Sequence, residues 1–72
     1  MFMENEKTFF INGHQFFINQ TLTINDILNY FNYKNSLFVV EYNNLICDRN
    51  EWSEISIHSD DKIEIITIVG GG

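Results

Sequence analysis

Seventy-two residues make one small domain, with room for a single thin core. Apolar side chains are 44% of the chain and aromatics 15%, enough for that core. Four Lys and Arg against ten Asp and Glu leave −6 at neutral pH, which argues against nucleic acid and against an anionic membrane surface as partners.

The elements read in chain order. Met1 to Lys7 is acidic and has no long apolar run, so it is expected to be neither a secretory signal nor a transit peptide. Thr8-Phe9-Phe10-Ile11 and Gln15-Phe16-Phe17-Ile18 are β-prone, and Asn12-Gly13 between them is a type I′ hairpin signal. That register puts Phe9, Ile11, Phe16 and Ile18 on one sheet face and Phe10 and Phe17 on the other. Thr23 is an N-cap, with Asp26 completing a capping box and Leu22 and Ile27 a hydrophobic staple. Ile24, Ile27, Leu28 and Phe31 then form the apolar stripe of a helix that stops by Tyr33.

Leu37 to Tyr42 is a strand with apolar residues on both faces. Asn43-Asn44 is a second tight turn, and Leu45-Ile46-Cys47 a short strand. Asp48 to Ser53 reads as a short helical turn with Trp52 at the edge of the core. Ser59-Asp60-Asp61 is a turn, and Lys62 to Val69 is the last strand, with Ile63 and Ile65 inward and Ile66 and Ile68 outward. A hairpin, a crossover helix and a last strand inserted between earlier ones give an α+β fold of the β-grasp type. One mixed sheet of about five strands carries one main helix packed across it. Residues 1–69 are the expected domain and 70–72 a flexible tail.

Catalytic signals are weak. His14 and His58 lack metal-ligand spacing, and His14 beside the hairpin turn reads as solvated. Lone Cys47 forbids an internal disulfide and reads as a buried structural thiol of a reducing compartment. That compartment is the cytoplasm, or the plastid stroma if an organelle encodes the chain. Asp60-Asp61 reads as a turn tolerant of unusual φ rather than a catalytic carboxylate pair. No residue is assigned a catalytic or metal-binding role, and no cofactor is expected on this chain.

Gly70-Gly71-Gly72 is different. The three glycines follow a strand without a polar spacer. Extended, they reach about 10 Å, and without Cβ atoms they form the narrowest thread a protein can make. Such a thread suits delivery of the Gly72 carboxylate into another protein's active site, where activation as an acyl-adenylate would open its carbonyl to sulfur or nitrogen. Phe10, Phe17, Ile66 and Ile68, outward by parity, are the expected partner-docking face. The acidic side chains Glu41, Glu51, Glu54, Asp60, Asp61 and Glu64 would steer the chain to basic partner rims.

Three features together resemble the ThiS family of sulfur carriers. They are the Asn12-Gly13 hairpin with its Thr23-led helix, the segment Asp48-Arg49-Asn50-Glu51-Trp52, and Asp61-Lys62-Ile63-Glu64-Ile65 running to Val69-Gly70-Gly71-Gly72. Asp48 stands where the family commonly has Pro, and Asp60 where it has Gly. The resemblance implies a ubiquitin-like carrier rather than an enzyme. A ThiF-like enzyme would adenylate Gly72 with ATP and magnesium, and sulfur from a cysteine desulfurase pathway would give a thiocarboxylate. A ThiG-like thiazole synthase would receive the sulfur, with Gly70 and Gly71 as the thread. A molybdopterin-type carrier similar to MoaD and a ubiquitin-like protein modifier remain alternatives. Alone, the chain is expected to be a monomer.

Overall fold

Asn12 and Gly13 both take positive φ, +50° and +83°. That backbone matches the twist of a two-residue hairpin. It folds Lys7–Ile11 (β1) onto His14–Ile18 (β2), antiparallel, with Ile11 opposite His14 and Phe9 opposite Phe16. The computed structural model describes residues 6–33 and 37–68. Alternation does the rest: Phe9 and Ile11 are buried, and Phe16 and Ile18 pack partly buried against the same core.

Ile24–Tyr30 forms the helix α1. At its start the Thr23 hydroxyl accepts from the Asp26 N–H at 3.1 Å, and the Asp26 carboxylate accepts from the Thr23 N–H at 2.9 Å. A cap of this kind contributes about 1 kcal/mol. Ile24, Ile27 and Leu28 are buried against the sheet. The helix ends earlier than its apolar spacing predicts. Asn32 turns left-handed at φ +66°, its N–H donates to the Asn29 carbonyl, and the Tyr33 N–H donates to the Leu28 carbonyl. This is a Schellman stop with Asn in the glycine position. Phe31, expected on the buried stripe, therefore falls on the cap and stays 37% exposed.

Phe38–Tyr42 (β3) turns at Asn43 and Asn44, φ +51° and +74°, into Leu45–Cys47 (β4). Arg49–Glu51 is a single 3₁₀ turn. Trp52 behind it is buried, its ring stacked on Phe38 with centroids 5.3 Å apart, and the Arg49 guanidinium lies 5.2 Å from the Trp52 ring centre. The chain then does something its sequence does not announce. Ile55 and Ile57 pair with the approach to α1: the Ile24 N–H donates to the Ile55 carbonyl, and the Ile57 N–H to the Leu22 carbonyl. Ile57 is fully buried as a result.

Lys62–Thr67 (β5) lies parallel to β1 and antiparallel to β3. The sheet order is β2-β1-β5-β3-β4, so the last strand is the central one. A mixed five-stranded sheet with one helix across it is the β-grasp architecture expected from the element order. The strand is seen to Thr67; Val69 and the glycines lie outside the described residues.

β1 ends where β5 still has far to run, and a side chain takes over. Asn12 Nδ2 donates to the Ile65 carbonyl at 3.4 Å, and Asn12 Oδ1 accepts from the Ile65 N–H at 2.8 Å. One residue thus makes the turn and extends the ladder. Asn12→Gly keeps the turn geometry and deletes the clip. It is expected to cost about 1–2 kcal/mol, from two hydrogen bonds of modest net value, read as a lower urea midpoint. An unchanged midpoint would show that water replaces the clip without loss.

Candidate functional site: the root of the C-terminal tail

The register of β3 on β5 sets Val39 opposite Ile66 and Phe38 opposite Thr67. One step further, the Ile68 N–H donates to the Leu37 carbonyl at 2.8 Å, bringing Leu37 and Ile68 together. Residues 37 and 39 on one strand and 66 and 68 on the other share the face away from α1. Leu37, Ile66 and Ile68 are exposed, and Val39 is half-buried. Four apolar side chains therefore form a block at the point where the chain leaves for Val69 and the glycines.

Below this block the next row is charged. Glu41 lies opposite Glu64 on β5 and opposite Ile46 on β4. Like charges directly opposite in a sheet are unfavourable, and their presence here gives the apolar block an acidic border.

The structure divides the four residues expected to form one docking face. Thr8 opposes Phe17, and Phe10 lies level with Lys62. Phe17 thus sits at the level of residue 60, six residues from Ile66, or about 20 Å along the strand direction. Phe17 is 61% exposed and Phe10 half-buried, with Lys62 and Glu64 between them and the tail end. Ile66 and Ile68 belong to the tail root; Phe10 and Phe17 belong to the other end of the sheet. Leu37 and Val39 complete the block, and parity on β3 was the signal that could have found them. Gly70, Gly71 and Gly72 lie outside the described residues.

Two further expectations change. Asp61, grouped with the solvent-facing acids, is only 6% exposed. Its carboxylate accepts from Tyr42 Oη at 2.6 Å, Asn43 Nδ2 at 3.1 Å and the His58 N–H at 2.7 Å. Only its neighbour Asp60 takes the left-handed backbone, at φ +69°. Asp61 is a structural hub that ties the β3–β4 turn to the start of β5. Tyr42 responds: burial first, then the Asp61 hydrogen bond and charge, and a smaller contribution from Cys47, push its hydroxyl up to about 12.

Cys47 is buried as expected, and burial, Glu51 and Asp48 raise its thiol pKa. A thiol held protonated is a weak nucleophile. His14 is exposed beside the hairpin turn. Among the described residues no three His, Cys, Asp or Glu side chains converge as metal ligands would. No helix there is long and apolar enough to cross a membrane.

A ubiquitin-like domain with an apolar, acid-bordered surface at the end of its central strand defines the class: a small β-grasp protein. Comparison with known proteins narrows this. The ThiS family model matches residues 5–72, and the chain belongs to the ThiS family, sulfur carriers of the ThiS/MoaD type linked to thiamine biosynthesis. Its relatives include the ycf40 protein of Trieres chinensis, 54% identical over 66 residues that make up 92% of this chain and 90% of that one. The ycf40 protein of Porphyra purpurea is 36% identical over 62 residues, 86% of this chain and 87% of its own. The fold matches the crystal structure of the thiamine biosynthesis protein ThiS from Geobacter metallireducens. The TM-score is 0.76 at 19% identity, over 90% of this chain and 99% of that one.

Proposed function

We propose that this chain carries sulfur for the thiazole ring of thiamine as a thiocarboxylate on Gly72. The carboxylate attacks the α-phosphate of magnesium-bound ATP in a ThiF-like enzyme, and pyrophosphate leaves. The outer sulfur of a persulfide from a cysteine desulfurase pathway then attacks the acyl-adenylate and AMP leaves; a thiol cleaves the resulting acyl disulfide, which frees the thiocarboxylate and leaves the sulfur donor as a disulfide. A ThiG-like thiazole synthase exchanges the sulfur for a carbonyl oxygen of its substrate, which returns the carboxylate. The chain is a regenerated cosubstrate, not a catalyst. The observation that carries this reading is the reach of the ThiS match to residue 72, through all three tail glycines.

Gly70 and Gly71 serve as the thread that admits Gly72 to partner active sites. The apolar block at its root serves as the seat, with Ile66 and Ile68 at its centre and the Glu41–Glu64 border meeting a basic rim on the partner. The relatives carry the ycf designation of plastid reading frames, which supports a stromal setting. Intact-mass spectrometry of the protein from its own cells tests the proposal. One oxygen-to-sulfur exchange localised to Gly72 is the expected result. Isopeptide adducts on lysines would make it a modifier. Loading that depends on molybdopterin synthesis would assign it to that pathway.

Ile66→Asp tests the seat separately. The side chain is exposed, so the melting temperature is expected to hold within a few degrees. Affinity for the adenylating partner is expected to fall roughly ten-fold or more, as a buried apolar anchor is lost. Unchanged affinity, measured by calorimetry, would move the seat elsewhere.

A further inference from the structure

The surface furthest from the tail root carries an unexplained set of aromatics. β2 is an outer strand of the sheet. Beside it, Phe16, Ile18, Leu22, Ile27, Tyr30 and Phe31 line an apolar groove of about 440 Å³ between the strand and α1. Phe31 touches Phe16 edge-on at 5.4 Å and Tyr30 at 4.9 Å. Tyr30 is 81% exposed.

Edge strands are ordinarily protected by a charge, a proline or a bulge. His14-Gln15-Phe16-Phe17-Ile18 carries no Asp, Glu, Lys, Arg or Pro, and its pairing with β1 runs residue for residue without a bulge. The charge map is equally uneven. Of fourteen Asp, Glu, Lys and Arg residues, only Asp26 falls between His14 and Tyr33. Its carboxylate is engaged by the Thr23 N–H in the helix cap. Asp26 lines the groove, so on a chain of net charge −6 this face meets another molecule of the same charge with one acid, held in the helix cap.

We propose that the β2 edge and its groove bind a second copy of this chain. An antiparallel strand pairs with itself about a two-fold axis, so one edge serves as both halves of the contact. An axis near Phe16 joins the two sheets into one and lays the two α1 helices side by side above the seam. Inward side chains of the added strand fall over the groove, and Tyr30 and Phe31 become buried between the helices. Phe17 gains a cross-strand neighbour on the opposite face. Because β1 separates β2 from β5, the tail root stays open in the pair. The inference does not rest on the sulfur-carrier reading.

Sedimentation velocity of the full chain, from micromolar to millimolar concentration, tests it. The mass is expected to climb from 8.5 kDa toward twice that value. Phe17→Lys and Tyr30→Lys alter exposed side chains, so circular dichroism and melting at low concentration should be kept. Each is expected to weaken association roughly ten-fold or more. A wild type that stays monomeric at millimolar concentration would overturn the proposal. So would association untouched in the double variant, or nuclear Overhauser contacts placing Met1 to Met3 of the same chain in the groove.

Discussion

Asp61→Ala is expected to lower stability by about 3 kcal/mol, since hydrogen bonds to a charged group contribute about 1.5–3 kcal/mol each and are not additive. A 72-residue domain holds only about 4–11 kcal/mol in total. The loss should therefore lower the melting temperature by roughly 15 °C. The cause is the arrangement beneath the β3–β4 turn. The buried carboxylate satisfies Tyr42 Oη, Asn43 Nδ2 and the His58 N–H together. Asn43 in turn accepts from the Lys62 N–H and donates its own N–H to the Lys62 carbonyl, both at 2.8 Å. Alanine strips all three donors at once and loosens the strand that leads to the tail. Asp61→Asn keeps an acceptor oxygen and should fall between. A melt within a few degrees of the parent for Asp61→Ala would show that the hub is not what holds β5.

The same hub sets an alkaline limit. Tyr42 is raised from 10.0 to about 12 in the fold, so its neutral form is favoured by folding. The stability this brings is full below pH 10 and is lost as pH rises from 10 to about 12. Tyr42→Phe should flatten that part of the pH–stability curve. An equally steep loss in the variant would place the alkaline transition on another group.

Gly71→Val is expected to leave the melting curve unchanged and reduce thiocarboxylate formation by roughly 100-fold, the penalty typical of a reacting group misplaced by about 1 Å. The argument is steric. A glycine thread needs only backbone width, and its backbone angles are unrestricted. Valine adds a branched side chain next to the reacting carbonyl and stiffens the chain at the same place. Mass spectrometry after incubation with the adenylating partner, ATP and a sulfur source reads the outcome. Loading at the parent rate would mean that the partner's channel is wide and that glycine at 71 serves something else. Deleting Gly72 should abolish loading at that carbon altogether.

Much of this architecture is written in local chemistry. Asn12-Gly13 and Asn43-Asn44 are residues that tolerate positive φ, and each pair makes the turn its sequence predicts. Thr23 and Asp26 form the predicted capping box. What escapes is what depends on distant partners. Asn32 reads as one more polar helix residue until its left-handed backbone ends α1 and turns Phe31 outward. Ile57 sits in no periodic run, and its burial follows from pairing with residue 22. Asp61 reads as a solvated turn acid because the groups that bury it come from 18 and 19 residues away. The candidate site follows the same division. The glycine tail is a matter of composition and is visible at once, whereas the block at its root needs the register of β5 against both β1 and β3.

The place of β5 bears on how the molecule is made. It is the last strand along the chain and sits in the middle of the sheet. The β1–β2 and β3–β4 hairpins join into one sheet only when residues 62–67 lie between them, and such non-local pairing is slow to form. A chain interrupted before this strand lacks the centre of its own core.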